Sequence, residues 1–227
     1  MEECLLLCRA PQELPVNASE FQLRKHLRDE ILIRLIYETF MRIGELTRVK
    51  VEDIDFRNCA IFVSSPKGKA VFKLVNGRRT HVNTIHQPRW VFFSLHTRNL
   101  MIRYLGGRRR GYLIVNSSGK RLSTRQAERV VDHYARQAGI QKVIGETKGG
   151  RRVSLVTPKA LREAGERHTE ESGGDRDGTA RVAGHSVRTK ERYYKVGNFE
   201  EDRRIIMRHH PLMKNEEWSA EEGRSRM

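Results

Sequence analysis

The chain has 227 residues, enough for one substantial core with tails. Its 44 lysines and arginines stand against 28 acidic residues, a net charge of +16, which points to a polyanionic partner, nucleic acid first, because neutralised phosphates release counterions. Three cysteines in no regular framework (Cys4, Cys8 and Cys59) argue against a disulfide scaffold and for a reducing, cytoplasmic compartment. The apolar run at Cys4–Cys8 is too short for a signal-peptide core, and no stretch approaches a membrane span.

Residues 1–17 read as an irregular N-terminal lead-in punctuated by Pro11 and Pro15. Ser19 with Gln22 makes a capping box that opens a helix through about His26. A second helix follows, with Leu32, Leu35, Ile36, Thr39 and Phe40 spaced to bury one face. Arg42 falls at the junction after it, and Ile43, Leu46 and Val49 continue the apolar stripe. The period then changes. Residues 51–54, 60–64, 71–75 and 80–85 read as short strands of a small antiparallel sheet, with Asn76-Gly77 as a two-residue hairpin turn. Pro66-Lys67-Gly68-Lys69 forms the other turn, a lysine-bearing tip.

A helical pattern over 90–104 carries Phe92, Phe93, Leu95 and Leu100, and a basic loop follows over 106–111. Residues 112–115 are apolar and strand-like. Ser123 caps a helix to about Ala138 with Ala127, Val130, Val131 and Tyr134 inward, and 145–152 reads as loose and basic. Pro158 starts a helix at a favourable first-turn position, ended by Gly173-Gly174. Short helices follow over 178–183 and 200–208. Residues 163–181 are unusually polar for a helix face that must pack, and His209-His210 reads as a surface pair. The remainder, 211–227, is a polar tail without periodicity.

Five motifs fall in register. Thr39-Phe40-Met41-Arg42-Ile43-Gly44-Glu45-Leu46 resembles the first arginine motif of the tyrosine recombinases, the phage-integrase family. Lys67 stands where that family keeps its β-hairpin lysine, and Pro158-Lys159-Ala160-Leu161-Arg162 resembles its second arginine motif. His185, within Gly184-His185-Ser186, and Tyr194, nine residues later, complete the pattern. The resemblance covers about residues 18–210, which it marks as the catalytic domain. It implies an α+β, mainly helical fold with a small three-stranded antiparallel sheet. It also implies double-stranded DNA as partner, a homotetramer on that DNA, and no cofactor, metal or ATP.

The chemistry shows why these residue types are needed. Phosphodiester exchange places extra negative charge on the non-bridging oxygens, which Arg42 and Arg162 can clamp bidentately. Tyr194 is the expected nucleophile, forming a 3′-phosphotyrosine. Lys67 donates a proton to the leaving 5′-oxygen, and His185 hydrogen-bonds the phosphate. Two rivalries stay open: Lys69 for Lys67, and Tyr193 for Tyr194. Tyr193 is favoured by a faint likeness of 189–193 to the type IB topoisomerase motif. Lys159 stands where the family usually has histidine, as in integrases of archaeal spindle-shaped viruses; it binds phosphate but is the poorer proton acceptor.

Family members usually carry an N-terminal helical DNA clamp, and about 18 residues precede the pattern here. The clamp is therefore missing, supplied by another chain, or lost because this is the C-terminal piece of a split integrase. The alternatives to recombination are topoisomerase-like relaxation of DNA and a decayed DNA-binding remnant.

Overall fold

The computed structural model describes residues 1–12, 17–64, 69–75, 78–85, 88–147, 149–150, 152–184 and 199–214, with the backbone alone described over 69–75 and 78–85. The first residues are not irregular: Glu2–Arg9 form a helix, α1. Glu2 and Glu3 in its first turn and Arg9 in its last suit the helix dipole. Leu7 and Cys8 are buried, and α1 packs on the central helix, α2 (Glu20–Thr39).

The α2 helix is one unbroken element of 20 residues where the sequence suggested two. The expected capping box opens it: Ser19 Oγ accepts the Gln22 N–H, and Gln22 Oε1 accepts the Ser19 N–H. No glycine or proline falls inside the segment, so nothing interrupts the ladder near His26. That ring instead lies 2.9 Å from the Pro11 carbonyl. Every residue from Asp29 to Thr39 is buried. The charged ones are partnered, as burial demands. Arg34 Nε reaches Glu30 at 2.8 Å, and Glu38 accepts from Ser94 N–H, Ser94 Oγ and Thr97 Oγ1.

After α3 (Ile43–Leu46) comes a three-stranded antiparallel sheet in the order β1 (Ile54–Asp55), β2 (Ala60–Val63), β5 (Arg89–Phe92). Its third strand is the segment expected to begin a helix. Trp90-Val91-Phe92-Phe93 is aromatic and β-branched, which suits a strand. The helix α4 (Leu95–Leu105) starts where Ser94 can cap it, accepting the Thr97 N–H at 3.1 Å. Residues Val51–Asp53 form a 3-10 turn in place of the expected strand. The hairpin of β3 (Lys69–Val75) and β4 (Arg78–Ile85) is a separate two-stranded sheet, so β2 pairs with β5 and not with β3. Val75 pairs with Arg78, so two residues join the strands; the turn itself lies outside the described residues.

The second half begins with α5 (Thr124–Gln137), capped by Ser123. Tyr112 and Val115 make isolated bridges to Lys50 and Arg121 and form no strand. The stretch expected to be loose contributes a hairpin, β6 (Val143–Glu146) with β7 (Arg152–Ser154). Then come α6 (Pro158–Glu171), α7 (Arg176–Ala183) and α8 (Phe199–His209).

The polarity of 163–181 has a structural answer. The α6 helix packs on α2 through small and hydrogen-bonded residues: Ala164, Gly165, His168 and Thr169 are buried. His168 Nδ1 lies 2.9 Å from the Tyr37 hydroxyl. His210 belongs to the same core and is fully buried, contrary to the surface expectation. Leu212 N–H donates to its Nδ1 at 3.2 Å, and its Nε2 lies 3.2 Å from the Tyr37 carbonyl. Both bonds are served together by the neutral ring with its proton on Nε2. The chain stays packed as far as Met213, which is 1% exposed, so the tail begins later than residue 211.

Candidate active site

Arg42 is aimed by the backbone around it. The α2 helix ends at Phe40, a non-glycine residue in the left-handed region (φ 55). Such a conformation costs about 1–3 kcal/mol, offset here by complete burial of the ring beside His210. Arg42 then takes extended geometry as the N-cap of α3. Glu45 folds back on it, accepting the Arg42 backbone N–H at 2.9 Å and Nη1 at 3.3 Å. The same carboxylate accepts Arg89 Nη2 at 2.8 Å and Nη1 at 3.4 Å. Burial pushes the Glu45 carboxyl upward, but the hydrogen bonds from Arg89 and the charges of Arg89 and Arg42 outweigh it and hold it below the ordinary range.

The C-terminus of α7 gathers the arginines. Three successive carbonyls, of Val182, Ala183 and Gly184, accept in turn from Arg89 Nε at 2.7 Å, Arg162 Nη2 at 3.0 Å and Arg42 Nη2 at 3.2 Å. A helix C-terminus presents unpaired carbonyls and the negative end of the macrodipole, so it holds guanidiniums that repel one another. Arg162 also donates from Nε to Glu166 at 2.9 Å. Its burial lowers its pKa, Glu166 opposes this, and the nearby Arg42 charge adds to the lowering; a guanidinium is basic enough to stay protonated regardless. Gly184 caps α7 in the left-handed region (φ 68), and a Cβ there would fall 2.7 Å from Arg89 Cζ. Glycine is thus required directly before His185 by conformation and by space.

Arg162 is buried, with its side chain 8% exposed, whereas that of Arg42 is 35% exposed. The result is a cationic corner with one guanidinium set in the wall and one at the surface. Its geometry suits a phosphate-like oxyanion. Of the other expected site residues, Lys159 is on the first turn of α6, 83% exposed, with Nζ 3.6 Å from Glu163; it is not part of the arginine cluster. Lys69 opens β3 opposite Ile85. Lys67, His185, Tyr193 and Tyr194 lie outside the described residues. Glu45 is a functional residue that the motif holds without assigning it a task, although an acid at N3 of a helix is the receiving half of a capping box. Among the described residues, no group of three or more His, Cys, Asp or Glu is placed to hold a metal ion, and no helix is long and apolar enough to cross a membrane.

The profile of the phage integrase family matches residues 16–200. Among curated proteins, the chain is 26% identical over 200 residues to tyrosine recombinase XerC of Staphylococcus saprophyticus, covering 85% of this chain and 57% of that protein. It is 27% identical over 200 residues to tyrosine recombinase XerA of Pyrococcus furiosus, covering 83% and 60%. The chain therefore spans somewhat more than half the length of these relatives. In fold it is similar to the crystal structure of XerA recombinase (TM-score 0.58, 20% identity, 100% of this chain and 62% of that one). It is also similar to XerH site-specific recombinase bound to its palindromic difH substrate (TM-score 0.55, 18% identity, 82% and 45%).

Proposed function

The chain belongs to the phage integrase family, and from that premise we propose that it cuts and rejoins duplex DNA as a tyrosine-type site-specific recombinase of a mobile element. The Tyr194 oxygen attacks the scissile phosphorus, the bond to the 5′-oxygen breaks, and a 3′-phosphotyrosine forms. The proton that the 5′-oxygen takes up comes from Lys67, and His185 hydrogen-bonds the phosphate and accepts the proton that the Tyr194 hydroxyl gives up. Arg42 and Arg162 carry the charge that builds on the non-bridging oxygens. Lys159 adds a surface contact to the DNA backbone. Rejoining reverses the step with a 5′-hydroxyl of the partner strand, so neither metal nor nucleotide enters the balance. Exchange between two duplexes calls for four protomers.

The observation that supports this most is the convergence of Arg42 and Arg162 on the last carbonyls of α7, one residue before His185. Relatives named as tyrosine recombinases, and a similar fold solved on a DNA substrate, point the same way. The test is a nicked duplex from which the cleaved piece diffuses away, trapping the protein on DNA. Wild type is expected to accumulate a detergent-resistant adduct. Arg42→Ala and Arg162→Ala should bind but form it about 10²–10³-fold more slowly. DNA binding without any adduct would indicate a decayed copy.

A further inference from the structure

We propose that Arg89 is a positioning residue for DNA cleavage: it fixes Glu45 and the end of α7 in one geometry, and so aims Arg42 at the scissile phosphate. This rests on the recombinase reading above. Arg89 starts β5, where its pairing with Val63 sets its backbone in the core sheet. Its side chain is 10% exposed, and its bonded donors all point inward. Nη2 and Nη1 hold the two oxygens of Glu45, and Nε holds the Val182 carbonyl. The guanidinium plane is also the wall against which Gly184 packs. One side chain therefore joins the sheet, the start of α3 and the end of α7.

The consequence for Arg42 follows from sharing. Glu45 has one carboxylate and two arginine partners. With Arg89 in place, Arg42 receives only part of it, at 3.3 Å. Without Arg89, nothing prevents Glu45 from drawing Arg42 into a full bidentate pair, facing protein in place of phosphate. The Val182 carbonyl would lose its partner as well. A lysine cannot substitute fully, since one ammonium cannot span three acceptors set for a planar fork.

The test compares wild type, Arg89→Met and Arg89→Lys on nicked duplexes of two kinds. One has an ordinary scissile phosphodiester. The other has a methylphosphonate, in which methyl replaces a non-bridging oxygen and removes one negative charge. Both variants should bind DNA as wild type does. Arg89→Met should cleave the phosphodiester ~100-fold more slowly, the scale of a misplaced catalytic group, and most of that deficit should vanish on the methylphosphonate. Arg89→Lys should show the same selective deficit, smaller, and carries the test if the methionine variant fails to fold by circular dichroism. Equal slowing on both substrates would overturn the proposal in favour of a merely structural arginine, as would wild-type rates. If wild type itself forms no adduct, the recombinase reading and this inference fall together; if wild type cuts and the Arg89 variants cut as fast, the inference falls alone.

Discussion

Gly165 lies against the backbone of α2, and replacing it with alanine is a sharp test of how the fold holds Arg162. By propensity alone, alanine inside a helix should stabilise by roughly 1 kcal/mol. The structure reverses the sign. A Cβ on Gly165 would lie 2.2 Å from the Tyr37 carbonyl oxygen and 3.1 Å from Phe40 Cε1. The first contact is roughly 1 Å or more inside an ordinary van der Waals separation. Neither neighbour can retreat: the oxygen belongs to the backbone of α2, and the Phe40 ring is fully buried. The helix α6 must therefore shift outward, at an overpacking cost of about 3 kcal/mol, the upper end of the usual range because the clash is with backbone. The expected net loss is about 2 kcal/mol, a fall in Tm of about 4–8 °C for a domain of this size. Thermal unfolding by circular dichroism measures it directly. Because Arg162 is one turn away on α6, cleavage should drop even in variant protein that remains folded. A Gly165→Ala variant with unchanged or higher Tm would refute the packing argument.

Three further outcomes follow from the charges of the chain. Glu45→Gln should lower stability at neutral pH by about 3 kcal/mol in urea titrations, because it leaves paired arginines unbalanced. The Glu45 carboxyl is depressed in the fold, so its stabilisation is complete above the ordinary carboxylate range and is lost as pH falls through its lower folded value. The glutamine variant should therefore lack that part of the acid limb. His210, held by burial at about 3, acts on a different window. Between about pH 6.5 and that value the unfolded chain binds a proton that the folded one excludes, costing roughly 3 kcal/mol by pH 4. His210→Gln should flatten that slope in denaturation at pH 4 to 7. DNA affinity, measured by fluorescence anisotropy, should fall steeply and log-linearly with salt, as a chain of net charge +16 meeting phosphates requires.

The sequence was most informative where chemistry restricts the residue type. Ser19, Ser123 and Pro158 announced helix starts because a cap or a missing N–H has few alternatives. Asn76-Gly77 gave the two-residue spacing between β3 and β4 for the same reason. Arg42 and Arg162 could be singled out by motif, but not the agent that draws them together. The receiving groups are backbone carbonyls of Val182, Ala183 and Gly184, which carry no side-chain signature. Trp90–Phe93 misled because a short apolar run reads equally as buried strand or helix, and sheet pairing with β2 decides it. The polar face of α6 looked deficient as core. It is core, since Gly165 allows close approach and His168 is satisfied by Tyr37, two relations between residues far apart in the chain. His210 was misassigned for the same reason, its partners lying on α2 and in the following turn.

The proposed reaction requires that a tyrosine of this chain become bonded to DNA, and the motif makes that tyrosine Tyr194. The most direct measurement is to trap the adduct on a nicked duplex, digest it, and locate the nucleotide-bearing peptide by mass spectrometry in wild type, Tyr194→Phe and Tyr193→Phe. The expected result is a phosphotyrosyl linkage at Tyr194 in wild type and Tyr193→Phe, and normal DNA binding without adduct in Tyr194→Phe. An adduct that survives in Tyr194→Phe and disappears in Tyr193→Phe would contradict the assignment of the nucleophile. No adduct from any of the three, on DNA they bind, would contradict tyrosine-based cleavage by this chain.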